Sequence, residues 1–142
     1  MAVGVFDLVH LGHVHYLTEA RKLGDELVVV VATDAMVQRR KHEPINPQDV
    51  RLALVAALKP VDHAVVGHED DQLKSVEDVR PDVIALGHDD YHRVEELKAE
   101  LATRGFGNVR VERMPPFEQD LAGTRRIVRR ILSLYDSQGV PR

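Results

Sequence analysis

A chain of 142 residues is long enough for one domain with a substantial core, and residues 1–142 are expected to form a single domain. A formal net charge of −4 supplies no basic stripe of the kind that phosphate-backbone contacts demand, so nucleic acid is not an expected partner. The absence of cysteine excludes disulfides, thiolate metal sites and thiol nucleophiles. With aromatics at only 4%, an aromatic ligand would be held mainly by backbone and aliphatic groups. The longest apolar run, Leu27 to Ala32, is too short to span a bilayer, and the start lacks the basic and apolar segments of a signal peptide. A soluble, unexported protein without a membrane partner, acting in the cytoplasm, is the expectation.

In chain order, Val3 to Val5 reads as a short first strand and the stretch from about Gly12 to Leu23 as a helix stopped by Gly24. Glu26 to Ala32 (ELVVVVA) reads as a strand buried on both faces. Gln38 to Pro47 is the one long polar connection, the kind of loop that often carries function. Pro47-Gln48-Asp49 opens a helix through Leu58, because proline suits a first turn and acidic side chains complement the positive end of the helix dipole. Strands follow at His63 to Val66 and Asp82 to Leu86 around a weak helix near Gln72 to Val79. A helix from Tyr91 to Arg104, a strand at Val109 to Glu112, a proline loop and a helix from Thr124 to Ser137 complete the pattern. Apolar runs alternating with amphipathic stretches predict an α/β fold: a Rossmann-like, doubly wound parallel sheet of about five strands with helices on both faces.

In such a sheet the ligand crevice lies beyond the carboxyl ends of the strands, and Phe6 to His13 (FDLVHLGH) occupies the first of those turns. A helix start offers free N–H donors and a positive dipole end, which favours phosphate. His10 and His13, at i and i+3, project from one face beside it, while His15 lies about 200° round the helix from His13. Gly12 lets a ligand approach the backbone closely. These features describe a phosphate cradle with two imidazole donors. A metal site built from His10, His13 and His15 is an alternative, but the spacing does not itself make the three converge.

The run Gly4-Val5-Phe6-Asp7-Leu8-Val9-His10-Leu11-Gly12-His13 resembles the G-x-F-D-x-x-H-x-G-H signature of the cytidylyltransferase-like nucleotidyltransferases. Leu23 to Leu27, Ala57 to Asp62 and Pro81 to Asp89 are similar in order and spacing to the archaeal FAD synthases of that family. The resemblance implies transfer of a nucleoside monophosphate from an NTP to a phosphate-bearing acceptor, with release of pyrophosphate. It favours ATP and FMN as substrates; CTP with glycerol 3-phosphate or another small phosphoalcohol is the second possibility, and a non-catalytic nucleotide-binding module the third. It further implies that His10 and His13 contact the triphosphate, that backbone around Val5 and Phe6 holds the nucleotide, and that a lysine of the basic run Arg39-Arg40-Lys41-His42, here Lys41, joins Arg51 in binding phosphate. Gly87 would admit the base or ribose, with Asp89 orienting substrate or metal. The family's closing hydroxyl motif is matched directly only by Thr124. Gly123 and Arg125 stand where hydroxyl residues occur, and Arg125 or Arg126 could supply charge-assisted bonds to phosphate instead. Two cysteines of the archaeal relatives are replaced by Gln119 and Ala122, and the arginine that cytidylyltransferases carry ahead of the motif has no counterpart between Met114 and Gly123. Mg2+ or another divalent cation is implied as a bridge between phosphates, with no protein side chain assigned to it. A homodimer is also implied.

Overall fold

The computed structural model describes residues 1–40 and 42–135. Five strands, β1 (Ala2–Gly4), β2 (Val28–Val31), β3 (His63–Val66), β4 (Val83–Leu86) and β5 (Arg110–Arg113), form one sheet in the order β3-β2-β1-β4-β5, all neighbours parallel. The chain winds outward from β1 to β3, then returns to the other side of β1 for β4 and β5. The strand order therefore reverses between β1 and β4, as expected of the doubly wound α/β class.

Alternation along the strands sorts the core into two layers. Val29, Val31 and Ala85 pack with Leu17 and Ala20 of α1 (Leu11–Arg21) and Val55 of α3 (Gln48–Ala56). Ile84, Leu86 and Val111 pack with Val76 of α4 (Lys74–Val79) and with Leu97 and Leu101 of α5 (Val94–Thr103). Two further helices, α2 (Asp34–Arg40) and α6 (Thr124–Tyr135), stand outside both layers; among the described residues α6 buries no side chain fully.

Several boundaries differ from the sequence expectation. The polar connection is shorter at its start, because Gln38 to Arg40 belong to α2. Its cap is Thr33, whose Oγ1 accepts from Met36 N at 3.2 Å, and Val37 anchors it in the core. Helix α5 starts at Val94 rather than Tyr91, because the Asp90 carboxylate accepts from His92 N at 2.9 Å and holds that segment in a turn. Pro47 caps α3 rather than opening its first turn. The expected end of the last helix, at Ser137, lies outside the described residues.

Where β1 and β4 part, register pairing is limited to Ala2 with Ala85, and a side chain fills the gap. The Tyr16 hydroxyl accepts from Val3 N at 3.2 Å and lies 2.8 Å from Ala85 O and 3.1 Å from Val3 O. Burial of this phenol raises its pKa well above the ordinary value. It thus bridges the two strands as a buried neutral group.

Candidate active site

The turn from β1 into α1 is under backbone strain. Phe6 and Leu8 hold φ values of 56° and 57°, the left-handed region that branched and bulky residues rarely adopt. Phe6 is held there by burial: its ring is 1% exposed and packs 5.2 Å from the His13 ring and 6.4 Å from Tyr16. Its side chain is thus a support, and only its backbone can meet a ligand.

The strained turn delivers His10 to the N-cap of α1 and His13 to its first turn. The His10 Nδ1 accepts from Gly12 N at 3.1 Å, and the His13 Nδ1 accepts from His10 N at 3.4 Å, so the two imidazoles cap the helix reciprocally. This fixes their tautomers: with both Nδ1 atoms accepting, the protons of the neutral rings sit on Nε2. The rings stack with centroids 3.8 Å apart at 21°. Gly12 is required by the same contact, since a Cβ there would sit 2.9 Å from His10 Cε1 and 3.1 Å from Ala122 O.

Electrostatics keep the pair uncharged. Burial lowers the pKa of His10, with Asp89 opposing. Burial, and then the neighbouring His10, pushes His13 down to about 4 against the carboxylates of Asp89 and Asp7. At neutral pH the site therefore offers two neutral Nε2–H donors beside a helix N-terminus, suited to oxygen atoms on which negative charge is building.

Asp7, to which the sequence reading gave no role, organises the surrounding loops. Its buried carboxylate accepts from Ile45 N at 2.7 Å and Asn46 N at 2.9 Å, while its own carbonyl accepts from Thr124 Oγ1 at 2.7 Å. One residue thereby ties the polar loop on one side and the start of α6 on the other. Its place inside the F-D-x-x-H run was the available signal.

Arg51 departs from the expected phosphate contact. Its side chain is 0% exposed and spends its guanidinium inside the protein: Nη1 on Val5 O at 2.7 Å, Nε on Asn46 O at 2.9 Å and Nη2 on Asp34 at 2.7 Å. Asp34 in turn accepts from Gln48 N at 3.2 Å, and Gln48 Oε1 accepts from Asp34 N at 2.9 Å. Arg51 is therefore a positioning residue that fastens the end of β1 to the starts of α2 and α3. The Val5 carbonyl is engaged by it. Thr124, too, spends its one hydroxyl proton on Asp7, so in this structure it tethers α6 rather than presenting a donor.

Of the other expected residues, Gly87 follows β4 and its carbonyl accepts from Arg113 at 2.8 Å. A Cβ at Gly87 would meet Asp89 at 3.6 Å, an ordinary contact, so the protein itself does not demand glycine there. Asp89 is exposed yet close enough to act electrostatically on both histidines. Arg125 and Arg126 are exposed in the first turn of α6, with Arg126 donating to Gln119 O at 2.9 Å. Lys41 lies outside the described residues. His15 stacks on Phe117 at 4.7 Å, away from the histidine pair. Among the described residues no group of three His, Asp or Glu is placed to hold a metal ion.

A strained strand-to-helix turn carrying paired imidazoles at the reversal point of a parallel sheet is a candidate site for a phosphorylated ligand. A FAD synthase of Aciduliprofundum boonei is 53% identical over 137 residues, covering 96% of this chain and 91% of that protein. A FAD synthase of Thermoplasma acidophilum is 46% identical, covering 94% of each. A crystal structure described as a lipopolysaccharide core biosynthesis protein from Thermoplasma volcanium superposes with a TM-score of 0.81 at 47% identity, covering 83% of this chain and 96% of that one. The family model for cytidylyltransferase-like proteins matches residues 1–131, and the chain belongs to that cytidylyltransferase-like family.

Proposed function

We propose that this protein is an FMN adenylyltransferase: a nucleotidyltransferase that moves AMP from ATP to FMN, giving FAD and pyrophosphate. The relatives named FAD synthase, matched over nearly their whole length, support the substrates. The observation that carries the chemistry is the reciprocal cap, which aims two neutral Nε2–H groups out of a helix N-terminus. A phosphate oxygen of FMN attacks the α-phosphorus of ATP in line; the new P–O bond forms as the bond to the β-phosphate oxygen breaks, and pyrophosphate leaves with the electron pair. The protein supplies no covalent nucleophile. His10 and His13 stabilise the charge that gathers on the transferred phosphoryl group. The α6 start, with Arg125 and Arg126, receives the departing pyrophosphate, Lys41 adds a cation from the polar loop, and Gly87 leaves room for nucleotide.

A divalent cation such as magnesium would offset the charge of the triphosphate, a partner it prefers, with water, to an all-protein cage, and Asp89, whose charge reaches both histidines, is the side chain that would help orient it. Residues 1–142 act as one catalytic domain in the cytoplasm. A homodimer is part of the same reading, supported by the exposed apolar side chains Ile131, Leu132 and Leu134 of α6; a sole 16 kDa species on sedimentation at micromolar concentration would exclude it.

The test of the reaction is pyrophosphate release with each NTP against FMN, glycerol 3-phosphate and phosphopantetheine. Release with ATP and FMN alone is the expected result. Release only with CTP and a phosphoalcohol would reassign the substrates, and no release with any pair would refute the enzyme.

A further inference from the structure

The chain has six aromatic residues of the Phe and Tyr types, and among the described residues Tyr91 is the one that is exposed, at 60%. It does not stand loose at the surface. Tyr91 lies in the segment after β4, at the carboxyl end of the sheet, where Arg113 fastens the backbone through the carbonyls of Gly87 at 2.8 Å and Asp90 at 3.1 Å. One ring contact backs it firmly: His92 stacks at 3.9 Å, with its Nδ1 held by Asp90 at 2.6 Å and its Nε2 3.1 Å from the Gln72 amide. With the amide turned so that its nitrogen donates to His92, the Gln72 oxygen accepts from Arg40 at 3.1 and 3.2 Å. The other contact is a cover: the Arg40 guanidinium, from the exposed C-terminal end of α2, stands 4.2 Å over the Tyr91 ring.

These parts join the loops after β2, β3 and β4 into one wall of the crevice. Beside Arg40 opens a cavity of about 150 Å3 lined in part by Glu69 and Asp70. A fixed aromatic ring under a guanidinium is a pairing that would hold a planar, electron-poor ring system between tyrosine and arginine once the two part.

We propose that Tyr91, backed by His92 and covered by Arg40, is the stacking platform for the isoalloxazine ring of FMN, and that it determines acceptor specificity. This rests on the adenylyltransferase reading above. In-line displacement requires the entering oxygen and the leaving pyrophosphate to lie on opposite sides of the α-phosphorus. On that reading the pyrophosphate leaves by the α6 start, which is tied to Asp7, and the acceptor is assigned to the wall that carries Tyr91. Asp89, two residues before Tyr91, is near enough for its charge to act on both histidines. The ribityl chain of FMN would run from the reacting phosphate to the platform. The ring's carbonyl and aza acceptors then meet Arg40, a donor that a small phosphoalcohol would not use.

The experiment compares wild type with Tyr91→Leu, Tyr91→Phe and Arg40→Ala, measuring KM for FMN and for ATP together with the quenching of FMN fluorescence on binding without ATP. Tyr91→Leu and Arg40→Ala should each raise KM for FMN roughly tenfold, the scale of one lost stacking contact, and leave KM for ATP within about twofold. Tyr91→Phe should behave as wild type, and only the proteins with an aromatic residue at 91 should quench the flavin strongly. An unchanged FMN KM in Tyr91→Leu would overturn the proposal, as would a rise in KM for ATP instead, which would make the platform an adenine site. If the wild type adenylylates FMN while Tyr91→Leu keeps its FMN affinity, the platform fails and the function stands. If the wild type does not adenylylate FMN but binds it in a Tyr91-dependent way, the function fails and the platform stands.

Discussion

At the scale of single residues, the histidine pair performs two tasks that a substitution can separate. Asparagine is a strong N-cap residue without an imidazole donor, so His10→Asn should keep the start of α1 while removing one Nε2–H from the site. The expected outcome is a fall in kcat of roughly 10²–10³-fold, with thermal midpoint little changed. His13 makes a second, pH-dependent prediction. Its folded pKa is about 4, below the unfolded value near 6.5, so between those limits the unfolded chain binds more protons. Stability from this group is fully present above about pH 6.5 and is lost as pH falls toward 4. Denaturant midpoints measured across that window should slope upward with pH in wild type, and the slope should be shallower in His13→Asn. The residues of this turn were legible because a motif places them at a helix start, where backbone donors and a dipole give their types a meaning. Arg51 was not. The family resemblance assigned it to phosphate, and its acceptors at positions 5, 34 and 46 come together only in the folded chain.

Elements are held in register by a few polar anchors. Breaking the Arg51 anchor as Arg51→Met should be costly, because it leaves the Val5 and Asn46 carbonyls without their donor and the partly exposed Asp34 without its guanidinium; a loss of about 1–3 kcal/mol in urea unfolding is the expectation. Arg51→Lys, which restores the charge but not the three-way geometry, should recover only part of it. Tyr16→Phe removes the hydroxyl that bridges β1 and β4 and should cost about 1–3 kcal/mol while barely altering the apolar layer around it. The parallel sheet of about five strands with helices on both faces followed from apolar runs of strand length alternating with helical periods. The missed helix α2 is short and mostly polar, and its one buried residue, Val37, carries no periodicity. The misplaced start of α5 has a different cause: acidic residues ahead of Tyr91 suit a helix cap, but Asp90 and His92 satisfy each other within a turn first.

For the molecule as a whole, the notable asymmetry is in α6. Its apolar positions, Ile127, Val128, Ile131, Leu132, Leu134 and Tyr135, fill one side of the helix, and Arg125, Arg126, Arg129 and Arg130 fill the other. Without those four arginines a chain of net charge −4 would carry −8. The positive side belongs to the helix whose first residue is tied to the crevice through Asp7, while the negative charge is spread over the remainder. Four arginines thus line one side of the helix whose start Asp7 ties to the crevice, a concentration of positive charge that anionic substrates are expected to feel. Long-range attraction there should raise the rate of encounter rather than the rate of chemistry. Raising ionic strength from about 0.01 to about 0.15 M, which shortens the screening length from about 30 to about 8 Å, should therefore lower kcat/KM for ATP and leave kcat nearly constant. Replacing Arg129 and Arg130 with glutamine, outside the first turn of α6, should weaken that salt dependence; an unchanged dependence would show that the attraction lies elsewhere. An acidic protein can in this way gather anionic substrates without a net charge that favours them, because what an approaching ion feels is the orientation of the charge and not its sum.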